Sequence, residues 1–286
     1  MSHFSLAVIT KEDNYGLVMD MMNPFDENRI MKPYVEYTRE GAVADEKESL
    51  KKRIKNVSNG LEKLRAKEEK DDNLIERIES LEKQLANDQE KLKTYTDEDY
   101  YEEKRQWWED DMVAENGDLL STYNPDSKYD YYVVGGRWEN SLKVKEDKLS
   151  EYPDNHKGYV DSAKVSDVDF FYVDPVSAVN SGRFWDITVE GAPLKEGEEE
   201  PFSLYNKDYY LERYKTRDNF IKTVNSFRTY AILTPDSKWH EPGQMGYWGM
   251  NDASVEDEVN FDKNYFNILD LEKYRDCYIT VIDCHI

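Results

Sequence analysis

Histidine, cysteine and long apolar runs are scarce in this chain, and each shortage removes a class of protein. No apolar run among the 286 residues approaches the roughly 18 needed to cross a bilayer, so no membrane span is expected. The opening Met1-Ser2-His3-Phe4 lacks the basic start and apolar block of a signal peptide, and two cysteines fit a reducing compartment; we therefore expect a cytoplasmic protein. Cys277 and Cys284 lie seven residues apart in a stretch that reads as strand. An odd spacing puts them on opposite faces, so no disulfide between them is expected. The close ligand spacings of zinc sites, CxxC or HExxH, are missing, and so are the Walker lysine pattern and GxGxxG. Nucleophilic catalysis needs a base near a Ser or Cys, and Cys284 beside His285 is not that signal, because adjacent strand residues face opposite sides. No catalytic residue and no cofactor is expected.

Charge of one sign is abundant. There are 61 Asp and Glu against 38 Lys and Arg, a formal net charge of −23. Such a surface repels nucleic-acid phosphates and anionic membranes, which argues against direct binding to either. It suits docking onto a basic surface, including one that normally holds DNA. The 22 Tyr, 6 Trp and 10 Phe argue against disorder, and Tyr and Trp favour interfaces.

The chain is organised around residues 44–96. Leu50, Ile54, Val57, Leu61 and Leu64 step by 4, 3, 4, 3, and Leu74, Ile78, Leu81, Leu85 and Leu92 by 4, 3, 4, 7. These are heptad seams on two helices. Continuing the first seam lands on Glu68 and Asp71, so the registers differ, and Asn73 with Glu76 reads as a capping box opening the second helix. We expect an antiparallel helical hairpin, a coiled-coil arm with its tip near Glu69–Asp72. The alternative is one continuous helix with a stutter. Asn59-Gly60 inside the first helix suggests a bend or a close helix crossing. A two-helix ribbon buries little alone, so a homo-oligomer is expected.

Around the arm, Phe4–Thr10, Pro33–Thr38, Tyr129–Val134, Asp167–Val173, Phe184–Val189, Phe227–Leu233 and Tyr278–Asp283 read as strands. Asp97–Asn116, Tyr209–Val224 and Asp257–Tyr274 read as helices, the first carrying Tyr101, Trp108 and Met112 at helical spacing and the second turning Leu211, Tyr214, Phe220, Ile221 and Val224 toward the core. Without a strict βαβ rhythm the class is α+β, a mixed or antiparallel sheet core. The core would comprise residues 1–43 plus 97–286, with 44–96 projecting from it.

Candidate interface residues are Tyr100, Tyr101, Trp107 and Trp108 in an acidic stretch, Arg137 and Trp138 after the paired glycines, and Trp239, Tyr247 and Trp248 in the loop KWHEPGQMGYWG. Gly135-Gly136 suggests a bulge or a close backbone approach. If the terminal strands pair, His3, Cys284 and His285 could converge, with His240 and Glu241 as further ligands for a transition metal. That set underlies the alternative reading, a metal-dependent enzyme acting on a nucleotide or small metabolite.

The opening MSHF, the words VVGGRW and KWHEPGQMGYWG, and the ending VIDCHI resemble a group of proteins encoded by tailed bacteriophages, most without an assigned function. The likeness covers both ends, Tyr129–Trp138 and Trp239–Gly249, but not the heptad stretch. It implies an accessory protein acting in the cytoplasm of the infected host, and no catalytic residues transfer with it. In general character, large, acidic and oligomeric, the chain is also similar to anti-Gabija proteins, which act on a nuclease–helicase complex. The expectation is a non-enzymatic, stoichiometric inhibitor of a host antiviral defence complex.

Overall fold

The computed structural model describes residues 2–66, 72–203, 205–246 and 250–286. Along the chain come β1 (His3–Thr10), α1 (Tyr15–Met22), β2 (Tyr34–Tyr37), α2 (Arg39–Arg65), α3 (Asp72–Thr94), α4 (Asp97–Arg105), β3 (Leu119–Ser121) and β4 (Tyr131–Val134). They are followed by β5 (Leu142–Lys143), β6 (Tyr159–Val160), β7 (Ser162–Lys164), α5 (Pro175–Thr188), α6 (Lys207–Tyr214), α7 (Arg217–Asn225), β8 (Ala231–Leu233), β9 (Trp239–His240), α8 (Val255–Leu269) and β10 (Tyr278–His285). Side-chain caps set most of the helix starts. Thr38 accepts from Gly41 N and Asn206 from Tyr209 N, while Thr96 with Asp99 and Ser254 with Asp257 form full capping boxes. The class is mixed α and β with a mixed sheet.

The chain divides into two compact units, Met1–Arg29 with Asn124–Ile286, and Ile30–Tyr123. The first is built on a six-stranded sheet in the order β4-β10-β1-β8-β9, with β7 also pairing β10. The terminal strands β1 and β10 lie antiparallel along their whole length, from His3 opposite His285 to Thr10 opposite Tyr278, and β8 joins β1 in parallel. Ala7, Ile9, Ile279 and Val281 face one core with Tyr265 and Leu269 of α8. Phe4, Leu6, Val8, Ile282 and Cys284 face another with Val18 and Met22 of α1. Burial on both faces is why Phe4–Thr10 reads as an unbroken apolar run rather than an alternation. Cys277 borders the first of these clusters and Cys284 belongs to the second; both thiols are free.

Three sequence expectations need correction in this unit. Phe184–Val189 is not a strand: Phe184 through Thr188 lie in α5, which Asp174 caps through Ser177 N and Pro175 opens. No strand covers Asp167–Val173. The single helix expected over Tyr209–Val224 is two, because Lys215 has φ +66° and Thr216 then caps α7 through Asn219 N. That break exposes Leu211 and Val224 while Tyr210 and Phe220 are buried with Trp185 and Val189.

In the second unit β2 pairs β3 antiparallel, and Ala42 of α2, Tyr101 of α4 and Leu119 of β3 share a buried cluster. The helix expected over Asp97–Asn116 stops at Arg105, so Trp108 and Met112 do not continue its face. Of the first seam, Leu50 and Leu61 are buried. On α3 the seam passes through Asp88 rather than on to Leu92, which is exposed; Asp88 is buried and receives Arg53 Nε and Nη2, both at 2.9 Å. Arg65 pairs with Glu82 at 2.5 Å. Helix α3 already starts at Asp72, so Asn73 is not its cap. Of the expected tip, Glu69–Asp72, residues 69–71 lie outside the described residues and Asp72 opens α3.

Gly60 sits inside α2 with no atom within 4 Å of a Cβ built on it, which removes a close helix crossing as its reason. Gly60→Ala is expected to stabilise the chain by about 0.5–1 kcal/mol in chemical denaturation, the usual helix-propensity gain. A destabilised variant would mean that another surface approaches Gly60.

Candidate functional site

Two places gather the residues singled out by sequence. The first is α4 and the turn after it. From Asp97 to Asp118 there are ten carboxylates against two cations. Four aromatics in this stretch have different fates. Tyr100 and Tyr101 are buried, and the Tyr101 hydroxyl donates to the Gly117 carbonyl at 2.8 Å while the Arg39 guanidinium lies over its ring. Trp108 is half-buried, donates from Nε1 to the Leu120 carbonyl at 2.7 Å and meets Tyr37 edge-on. These three hold α2, α4 and β3 together and present little surface. Trp107 is 80 % exposed, next to the exposed Glu109, Asp110 and Asp111. Nearby, Glu103 accepts from Lys91 Nζ and the Tyr95 hydroxyl, which holds its carboxyl below the usual range.

The second place is the end of the sheet where both termini meet. The pairing of β1 with β10 brings His3 and His285 to a ring separation of 4.9 Å. Each imidazole has its own aspartate: His3 Nδ1 lies 2.8 Å from Asp283 Oδ1, and His285 Nδ1 lies 2.6 Å from Asp130 Oδ1. Tyr131 stacks on His285 at 4.3 Å. Asp283 Oδ2 also accepts the Arg137 backbone N–H at 2.9 Å. Gly135 and Gly136 have φ +69° and +55°, and a Cβ on Gly136 would stand 2.5 Å from Asp283. Gly136 therefore allows a close backbone approach to Asp283 of the central strand, and Gly135 one to Asp161.

This cluster differs from the expected metal set. Cys284 points to the opposite face, where burial drives its thiol pKa well up. His240, on β9, sits 3.4 Å from Thr234, and burial lowers its pKa. Glu241 is taken by Lys128 and by Trp239 Nε1. Among the described residues no group of three or more His, Cys, Asp or Glu is placed to hold a metal ion. The His285 side chain is 4 % exposed, and its Nε2 is buried without a hydrogen-bond partner. An imidazole so enclosed beneath Tyr131 ties strands together and has no route to a substrate proton.

Arg137 is exposed, Trp138 packs at the edge of the α8-side core, and Trp239 packs against Phe4 and Phe25. Tyr247 and Trp248 lie outside the described residues. Sequence reasoning missed Asp130 and Asp283 as histidine partners. The alternation of Asp283 with His285 on β10 was a signal for the one; nothing local marks the other. Comparison of the chain with protein-family models, with curated proteins and with solved structures found no match.

Proposed function

We propose that the protein is a phage-encoded, non-enzymatic inhibitor that binds a basic, nucleic-acid-handling complex of bacterial antiviral defence. The observation that carries this reading is Trp107, 80 % exposed in a stretch of ten carboxylates and two cations. Carboxylates speed encounter with a basic surface but give weak, salt-sensitive binding alone. A projecting Trp that becomes buried on docking supplies the affinity that charge does not. Helices α2 and α3 serve as an antiparallel coiled-coil arm. The pairs Arg53–Asp88 and Arg65–Glu82 support this, since partners advance along one helix and retreat along the other. The arm brings copies together as a homo-oligomer in the host cytoplasm.

The test is capture of the target from a defence-carrying host lysate, followed by titration of the purified pair. Trp107→Ala is expected to weaken the complex by about 2 kcal/mol or more, as for an interface hot spot, with an unchanged melting temperature. Trp108→Ala is expected to lower the melting temperature, because it removes the bond to Leu120. Full affinity in Trp107→Ala, or a light-scattering mass of 33.8 kDa for the free protein, would contradict the docking site or the oligomer respectively.

A further inference from the structure

In the first unit a polar cavity of about 360 Å³ is lined by Lys143, Tyr159, Tyr172, Ser177, Asn225 and Arg228, among others. Lys143 Nζ lies 4.9 Å from the Tyr159 ring centre and 5.3 Å from that of Tyr172. The Arg228 guanidinium rests over Tyr265 and Phe266, both at 5.2 Å, and its Nη1 donates to the Asp262 carbonyl at 3.0 Å. That leaves the other edge of the fork, and Nε there is buried with no partner. Arg183, Arg213 and Arg217 each have a carboxylate, whereas among the described residues neither Lys143 nor Arg228 is in an ion pair. Among the described residues these two half-buried cations stand outside any ion pair in one cavity, in a chain of net charge −23.

We propose that this cavity binds the phosphate of a small phosphate ester, with Lys143 and Arg228 as its anchors. The guanidinium offers a charge-assisted donor to an oxyanion, and the ammonium adds a point charge from another side. A tetrahedral phosphate offers oxygens toward both cations at once, whereas a single carboxylate holds its two oxygens in one plane. Two aspartates also line the wall, each held by a backbone amide: Asp169 Oδ1 accepts from Phe171 N at 3.3 Å, and Asp174 Oδ2 accepts from Ser177 N at 2.8 Å. A second cavity of about 420 Å³ shares Val224, Ser226 and Arg228 with the first and adds Tyr214, Tyr230 and Phe261. It has room for the organic part of the ester, since ligand sites usually span about 300–1,000 Å³.

Titration calorimetry of the full chain at physiological salt tests this with inorganic phosphate, adenosine monophosphate and succinate as probes. Saturable binding of phosphate and of the nucleotide is expected. In Lys143→Gln and in Arg228→Gln it should be at least about tenfold weaker, the loss that goes with one charge-assisted hydrogen bond. Melting curves show whether Arg228→Gln keeps its fold; Lys143→Gln removes only a side-chain head and carries the test if it does not. No binding of either phosphate probe at millimolar concentration, or unchanged binding in Lys143→Gln, overturns the proposal. Succinate binding as tight as phosphate overturns the phosphate assignment.

Discussion

A Gly136→Ala variant is expected to lose about 3–5 kcal/mol of stability, from a left-handed backbone now carrying a Cβ and from broken hydrogen bonds to a carboxylate. The backbone there has φ +55°, and the added carbon would stand 2.5 Å from Asp283 Cβ. That atom belongs to a central strand flanked by β1 and β4, so it cannot swing aside as the end of a long side chain would. Moving Asp283 breaks its contacts to the Arg137 backbone and to His3. Gly191→Ala is the control. Its φ is +72°, but nothing lies within 4 Å of the new carbon, so only the conformational cost of about 1–2 kcal/mol applies. Denaturant midpoints of the two variants decide the point. Equal losses would mean that the close approach to Asp283 contributes nothing.

Legibility followed the range over which each feature is determined. The terminal strands could be read because burial on both faces leaves an unbroken β-branched run, and the paired glycines because only glycine fits their backbone. Helix α5 was misread because Phe184, Trp185 and Ile187 suit a strand, while the evidence against it, Asp174-Pro175, lies ten residues upstream. The break at Lys215 has no glycine or proline to announce it; only the cap at Thr216 does. Composition could not divide Trp107 from Trp108, neighbours of which one projects and the other bonds the β3 backbone. Nor could spacing pair His285 with Asp130, whose meeting depends on how β4 lies beside β10. Lys143 and Arg228 come together only through the tertiary fold, and neither carries a local motif.

Arg53→Met is expected to destabilise α2 and α3 by about 2–3 kcal/mol, somewhat under the cost of stranding a fully buried charge, because Arg53 itself is 39 % exposed. The Asp88 side chain is only 5 % exposed and takes both of the guanidinium's bonds. Removing the arginine leaves that carboxylate out of water without a counter-charge. The pair sits where the α3 seam calls for an apolar residue, which explains why the leucine spacing jumps from Leu85 to Leu92. Arg53→Met combined with Asp88→Leu should therefore recover the loss or exceed the parent, since an apolar pair fills the same seam position without desolvating a charge. Register is what the double variant gives up: a single buried polar pair fixes which turns of two helices face each other, and a seam of leucines alone does not. Hydrogen exchange in α2 and α3 reads the stability of each variant, and light scattering reads whether the double variant changes its assembly. An Arg53→Met protein with unchanged exchange would show that the Asp88 carboxylate is solvated, and the seam would then owe nothing to the pair.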